Sequence, residues 1–366
     1  MRTTHTLTPF VILGIIFSAT LSGCAELPVQ MSQDNRAQCE RTARIAPALT
    51  SKRWSAIRTA REEHSDFNGH LINKAGQLTR FGMTESETTD SEAPIQPASR
   101  IAWMNVKRYW DTLDTQLAAR KAQDPESATG VRQPALHQLR SVQPLPGKQP
   151  GAAEVEIQSD IPLEIERALA RSTTLTPRQR QALTQSLYRA AINDVPWSAS
   201  FISYLMFQAG YALNEFEFSA SHIDYIRKAF AVTWLEATGQ RPSLDPDLAG
   251  YRFRACDARQ TAPRPGDLLC HMRGTPQASN TFSRIDALLS TDPARTFYPA
   301  HCELVTAIDS VQRQLTSIGG NVMQSVAQRT LRLDKNGLVA DCPQGSRCAA
   351  SVDPRQWSIL LQHLED

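Results

Sequence analysis

The chain of 366 residues predicts an α+β fold, with helices first and an antiparallel sheet after them. Two observations carry this. From about Gln38 to Glu63, from about Ala98 to Arg120 and, with breaks, from Ile161 to Ala237 the apolar residues recur at helical spacing. After Gly250 the period shortens, and Asp267 to Met272, His301 to Ile308, Gln314 to Ile318 and Ser325 to Leu333 read as strands.

The first residues read as an export signal. Arg2 supplies positive charge, Pro9 to Thr20 an apolar core too short to span a bilayer, and Leu21-Ser22-Gly23-Cys24 the end of the segment. Those last four residues resemble the bacterial lipoprotein signal. The resemblance implies cleavage before Cys24 and diacylation of its thiol, with the acyl chains as a membrane anchor. Ala25 follows in place of an acidic residue. By analogy with known sorting, this implies the periplasmic face of the outer membrane. Residues 1–23 are then the signal and 24–39 a tether.

Residues 40–120 form a helical N-terminal part. Trp54, Ile57 and Ala60 mark one helix, with a break at Pro47, and Trp103, Val106, Tyr109 and Trp110 mark another. Between them Phe67 to Leu78 reads as turns around a short extended piece. His64 and His70 flank its Asn-Gly turn, where a surface position is expected. Glu85 and Glu87 lie in a polar stretch, where a solvated position is expected and a position reaching the cleft is the alternative. Residues 121–160 hold five prolines and few large apolar residues, which reads as a long loop or disordered insertion.

Residues 161–366 are the expected core. Ile161 to Leu169 is a short helix, and Thr176-Pro177 has a helix-start signature for a helix reaching Asn193. Pro196-Trp197-Ser198 opens the next helix and Gly210 ends it. Ser198, Ile202, Leu205 and Ala209 share one of its faces. Another helix runs to about Ala237, and the tail from Pro354 to Leu364 is expected to be helical.

Hydrophobic residues make up 41% and charged residues 21%, with a net charge of +2. That near balance gives no reason to expect a nucleic-acid partner. No glycine-rich phosphate loop and no metal-spaced Cys or His motif appears, so neither a cofactor nor a metal is expected. The oligomeric state is left open. Six cysteines remain after Cys24, an even number that favours disulfides in an exported protein. Cys342 and Cys348 bound a short Pro/Gly loop suited to closing on itself. Cys39, Cys256, Cys270 and Cys302 allow three pairings.

Three pieces fall in order: Pro196-Trp-Ser-Ala-Ser-Phe201, then Arg264-Pro-Gly-Asp-Leu-Leu269, then His301 opening a strand with Gly319-Gly-Asn321 closing the next. They resemble the CHAP and NlpC-type amidohydrolases of the papain-like superfamily. The fit is closer still to a bacterial family of unknown function, family 2272, which carries Ser in place of Cys. Trp54 to Gly69, Gly82 to Glu87, Trp103 to Trp110 and Ser221-His222 with Tyr225 also match that family's pattern, so the resemblance spans roughly residues 40 to 335.

The resemblance implies a papain-like core with Ser198 as nucleophile, His301 as base and Asn321 orienting the imidazole. Trp197, His222 and Asp267 are implied as substrate contacts. His222 is also a candidate second base, and Asp267 also suits shaping the turn into its strand. Acyl transfer needs such a set: a nucleophile, a base in hydrogen-bond reach and a group that orients the base. Cys302 neighbours His301 but projects to the other face of its strand, so it does not replace Ser198.

A serine cannot rest ionised as a cysteine can, so it needs a general base as it attacks. The expected function is cleavage of peptidoglycan peptide or amide bonds. An inactive envelope binding or scaffold lipoprotein and a periplasmic esterase or acyl transferase are the alternatives.

Overall fold

The structure is a computed structural model that describes residue 39 and residues 50–87, 101–123, 168–240, 242–274, 280–291, 298–340 and 352–364. The expectations for Cys24, for residues 124–160 and for the Cys342/Cys348 pair lie outside those residues, while residues 121–123, expected to open a loop, are the last of the helix Ala102–Gln123.

Six α-helices are described: α1 (Ser51–Asp66), α2 (Ala102–Gln123), α3 (Pro177–Asp194), α4 (Ser198–Gln208), α5 (His222–Ala237) and α6 (Phe282–Thr291). The strands are β1 (His70–Ile72), β2 (Leu78–Arg80), β3 (Phe253–Asp257), β4 (Leu268–Met272), β5 (Ala300–Asp309), β6 (Gln314–Val322), β7 (Ser325–Arg332) and β8 (Ile359–His363). They form one sheet in the order β2-β1-β7-β6-β5-β4-β8-β3. The fold is therefore α+β, with helices α1 to α5 preceding most of the sheet.

Three expectations need correction. The sheet is mixed, because β1 lies parallel to β7 while the other neighbours are antiparallel. The tail is not helical: Ile359–His363 is a strand lying between β4 and β3. All five of its residues are buried, and a short run buried on both faces has no period to separate it from a helix. His64 and His70 are not on the surface, being 8% and 0% exposed. The amide of Gly82 donates to His70 Nδ1 at 2.8 Å, so that ring ties the turn together from within.

Helix α4 is the centre of the helical layer, with Ser198 to Met206 all buried. Gly210, at φ +80°, ends it in the left-handed region that a helix terminus favours. One core joins α1, α2, α4 and α5 to the face of the sheet carrying Leu268, Cys270, Cys302, Leu304 and Ile318. The opposite face carries Leu269, Val305, Leu315 and Leu360 and is covered by Trp357 and Val339.

Among the described residues there are two disulfides, Cys39–Cys256 and Cys270–Cys302. The second joins directly paired residues of β4 and β5. Both of its cysteines are therefore structural, and the bond settles one of the three pairings left open.

The sheet approaches α4 at Gly320. A Cβ there would lie 2.5 Å from Phe201 Cβ and 2.8 Å from the Trp197 ring, so any side chain would force helix and sheet apart. Asn321 follows at φ +53°, a region that Asn tolerates better than most residues. Val322 then pairs with Ser325 across Met323 and Gln324, both left-handed, as a tight hairpin requires.

Candidate active site

Ser198 is the first residue of α4, behind Trp197 at the cap position, and no side chain caps that end. The first turn of a helix leaves amides without intrahelical acceptors, and the helix dipole adds partial positive charge. Developing negative charge on a group bonded to Ser198 would meet that field.

Trp197 itself does not face a cleft. It is fully buried, packs near Phe67, Tyr109 and Phe201, and donates through Nε1 to Glu85. The expected substrate contact is thus an anchor that sets where α4 begins. Its partner Glu85 is buried rather than solvated, and burial raises its pKa against the pull of the indole N–H.

The nearest partner of Ser198 is His222. Ser198 Oγ lies 2.6 Å from His222 Nε2, and the Tyr225 hydroxyl is hydrogen-bonded to His222 Nδ1. His222 opens α5, and Tyr225 stands three residues on, where helical side chains share a face. Ser198, His222 and Tyr225 are 4%, 4% and 0% exposed, so the row is shielded from bulk water. Desolvation, and then the nearby His301, Arg273 and His271, hold His222 well below its ordinary pKa, and it is neutral at pH 7. Desolvation raises Tyr225 well above the usual phenol range, so it too is neutral.

His301 stands one ring further out, with its centroid 5.2 Å from that of His222 in edge-to-face contact. No hydrogen bond joins it to Ser198 among the described residues. Arg273 Nη2 donates to His301 Nδ1 at 2.8 Å. A guanidinium only donates, so the neutral ring carries its hydrogen on Nε2. That Nε2 points toward Glu303 Oε1 at 3.5 Å, an ion-pair distance too long for a full hydrogen bond. Neither nitrogen then offers Ser198 a lone pair. Desolvation lowers His301 to about 4, against the raising effect of Glu303.

The orienting role expected of Asn321 falls on other residues. Asn321 makes no hydrogen bond to His301 among the described residues and serves the hairpin backbone. Arg273 and Glu303 flank the imidazole instead. Gly319 makes room for this arrangement, since a Cβ there would lie 2.7 Å from Glu303 Cγ and 3.2 Å from His301 Nε2.

Glu303 is fully buried. It accepts from Ser317 Oγ at 2.6 Å and from Arg329 Nε at 3.1 Å, while Arg329 Nη1 donates to Asp353 at 2.7 Å. Desolvation acts to raise its pKa, but Arg329, His301 and Ser317 outweigh it and hold the carboxyl well below the usual range.

Asp267, the third expected substrate contact, is 0% exposed and accepts from the amides of Arg264 and His363. It fastens the Pro-Gly-Asp turn to β8 and is closed to a ligand. No group of His, Cys, Asp and Glu able to hold a metal ion occurs among the described residues.

What the site defines is a class: a buried serine at a helix N-terminus, bonded to a neutral histidine that a tyrosine holds from behind. The family model described as "Uncharacterized protein conserved in bacteria (DUF2272)" matches residues 170–363, more than half of the chain, and the chain belongs to that family. Comparison with curated proteins found no match, and comparison with solved structures found none either.

Sequence reasoning placed Ser198 and noticed His222 and Tyr225 without joining the three. The signal was available in the His-x-x-Tyr spacing on one helix face. His301-x-Glu303 on one strand face gave a similar signal for Glu303. Nothing in the sequence pointed to Arg273.

Proposed function

We propose that this protein is a serine-dependent hydrolase with a papain-like, CHAP/NlpC-type core, cleaving peptide or amide bonds of peptidoglycan from a lipid-anchored position on the periplasmic face of the outer membrane. The observation that carries the chemistry is the 2.6 Å contact between Ser198 Oγ and His222 Nε2 at the start of α4. The motif order and the lipoprotein-like Cys24 support the substrate class and the location.

In this reading Ser198 Oγ attacks the carbonyl carbon and its proton passes to His222 Nε2. His222 Nδ1–H donates to the Tyr225 oxygen, which fixes the tautomer in which Nε2 is free to accept. The amides at the start of α4 stabilise the oxyanion. His222 then gives its proton to the departing amine, and water, deprotonated by the same nitrogen, releases the acyl group and restores Ser198.

One observation favours a second reading, a binding cleft without turnover. Tyr225 is fully buried, and its hydroxyl is bonded to His222 Nδ1. If that hydroxyl donates, the ring hydrogen sits on Nε2, and His222 donates to Ser198 instead of accepting from it.

Reaction of the full mature chain with a fluorophosphonate, with the adduct located by mass, tests the proposal. Modification of Ser198 with turnover of muropeptides is expected. No adduct and no turnover leaves the binding reading. Nitrogen NMR of His222 assigns the tautomer independently: Nδ1–H is expected for the hydrolase and Nε2–H for the binder.

A further inference from the structure

Helix α3 differs from its neighbours in what it buries and in what meets its charges. Helices α1, α2, α4 and α5 all place residues in the core. None of the described side chains of α3 is buried, nor is any from Ala168 to Thr176 ahead of it, and Leu183 is 45% exposed. The start of α3 is held locally instead, by the reciprocal bonds between Thr176 and Gln179.

From Ala168 to Asn193 the chain carries Arg171, Arg178, Arg180 and Arg189 and no Asp or Glu. None of these four guanidiniums meets a carboxylate among the described residues. Arg180 donates to Ser172 O at 2.7 Å and Arg189 to Ser86 O at 2.6 Å, both of them backbone carbonyls. On α2, which packs beside α3, Lys107, Arg108 and Arg120 are each paired with a carboxylate. Arg178, Gln181, Gln185 and Arg189 follow the spacing of one helix face, so two arginines stand at the ends of one polar strip. A surface with several cations and no acid of its own is complementary to a dense array of anions.

We propose that α3 and the turn before it form a docking surface for the anionic headgroups of a lipid bilayer. The proposal rests on the lipid-anchored location for which array of anions is meant, and on no part of the hydrolase chemistry. Cys39, fixed to β3 through Cys256, follows Cys24 by 15 residues. Such a stretch spans at most about 50 Å, so a chain acylated at Cys24 has its body within that distance of the bilayer. Attraction between the arginines and the headgroups acts over about one Debye length, roughly 8–10 Å, and then selects which side of the body faces the lipid. Helix α3 ends at Asp194 and α4 begins at Ser198, so docking also holds the start of α4 near the headgroups.

The test uses the full mature chain with Cys24→Ser, so that no acyl chain contributes. Co-sedimentation compares vesicles of phosphatidylcholine alone with vesicles containing about one-third phosphatidylglycerol. At about 0.1 M salt the anionic vesicles are expected to bind at least about tenfold more tightly. Arg171→Gln, Arg178→Gln and Arg180→Gln together should bring the two within about twofold. The same three exchanges to Lys should keep most of the preference, since a surface potential needs charge and no fork. Arg58→Gln, Arg313→Gln and Lys335→Gln remove equal charge from exposed positions elsewhere and should also keep it. Hydrogen exchange should slow in peptides over Thr176 to Arg189 on the anionic vesicles, and not at the β5–β6 turn around Val311.

Equal binding of the two vesicles, a preference that survives the three Gln exchanges, an equal loss in the control set, or unchanged exchange in α3 would overturn the proposal. Binding of soluble polyglutamate with the same arginine dependence, and none of vesicles, would overturn it too and assign the surface to an acidic polymer. The comparison of two vesicles on one protein stands even if a variant misfolds. Cys24 found without acyl groups in membranes, with the vesicle preference intact, would sink the anchor and leave this proposal.

Discussion

Two buried polar clusters meet at His301, and they are built on opposite principles. On the helix side, Ser198, His222 and Tyr225 are neutral groups joined in a single row. On the other side of the sheet, Glu303, Arg329 and Asp353 are ions, each held by more than one contact. The ionic cluster has its charge balanced by neighbours and nowhere to send a proton. The neutral row holds its histidine uncharged by desolvation, so a proton arriving at His222 finds no carboxylate in contact with it. A scaffold that fixes charge on one side and leaves a neutral base on the other separates holding from reacting.

The largest expected effect breaks the ionic side. Arg329→Ala leaves Glu303 buried without its cation, while Asp353 keeps Arg355, and unfolding by urea should show a loss of about 3–5 kcal/mol. Ser198→Ala should abolish the fluorophosphonate adduct and cost about 1–3 kcal/mol, because it leaves the buried Nε2 of His222 without its partner.

Acid should separate the clusters next. His301 has a folded pKa of about 4 against an ordinary 6.5, so its contribution to stability is complete above pH 6.5 and is lost as pH falls toward 4. His301 is expected to add about 1.4 kcal/mol per pH unit to the slope across that window, and His301→Gln should lower the slope, read by thermal melting, by that much. The rest of the slope comes from His222, His271 and His363, which burial also holds below their ordinary value. Glu303 loses its contribution only further down, as pH falls below the ordinary carboxylate range toward its depressed value. A profile unchanged by His301→Gln between pH 6.5 and 4 would mean the ring is already charged in the folded protein.

The smallest expected effect concerns Asn321. Its left-handed backbone suits glycine at least as well, so Asn321→Gly should shift stability by no more than about 1 kcal/mol and leave labelling of Ser198 intact. A large loss of labelling would restore the orienting role that the motif order implies.

Much of this was legible in the chain. The helices α1, α2, α3, α4 and α5, the strands β4, β5, β6 and β7, the start of α4 at Trp197-Ser198 and the capping of α3 by Thr176 all follow from local chemistry, and the structure has each of them. Strand β8 was not legible, because Ile359-Leu360-Leu361 is buried on both faces and lacks alternation. The partner of Ser198 was misread for a different reason. A motif order places residues along a chain, whereas hydrogen-bond reach depends on the packing of α5 against α4 and the sheet. Arg273 was invisible because it lies at a strand end with no periodic signal, and only the register of β4 against β5 brings it to His301.

The most direct test of the central claim is the rate of fluorophosphonate modification of Ser198 in wild type, His222→Gln and His301→Gln. If His222 is the base, wild type reacts, His222→Gln loses at least about a hundredfold in rate, and His301→Gln loses much less. Equal rates in wild type and His222→Gln, or no reaction of wild type at all, would contradict it.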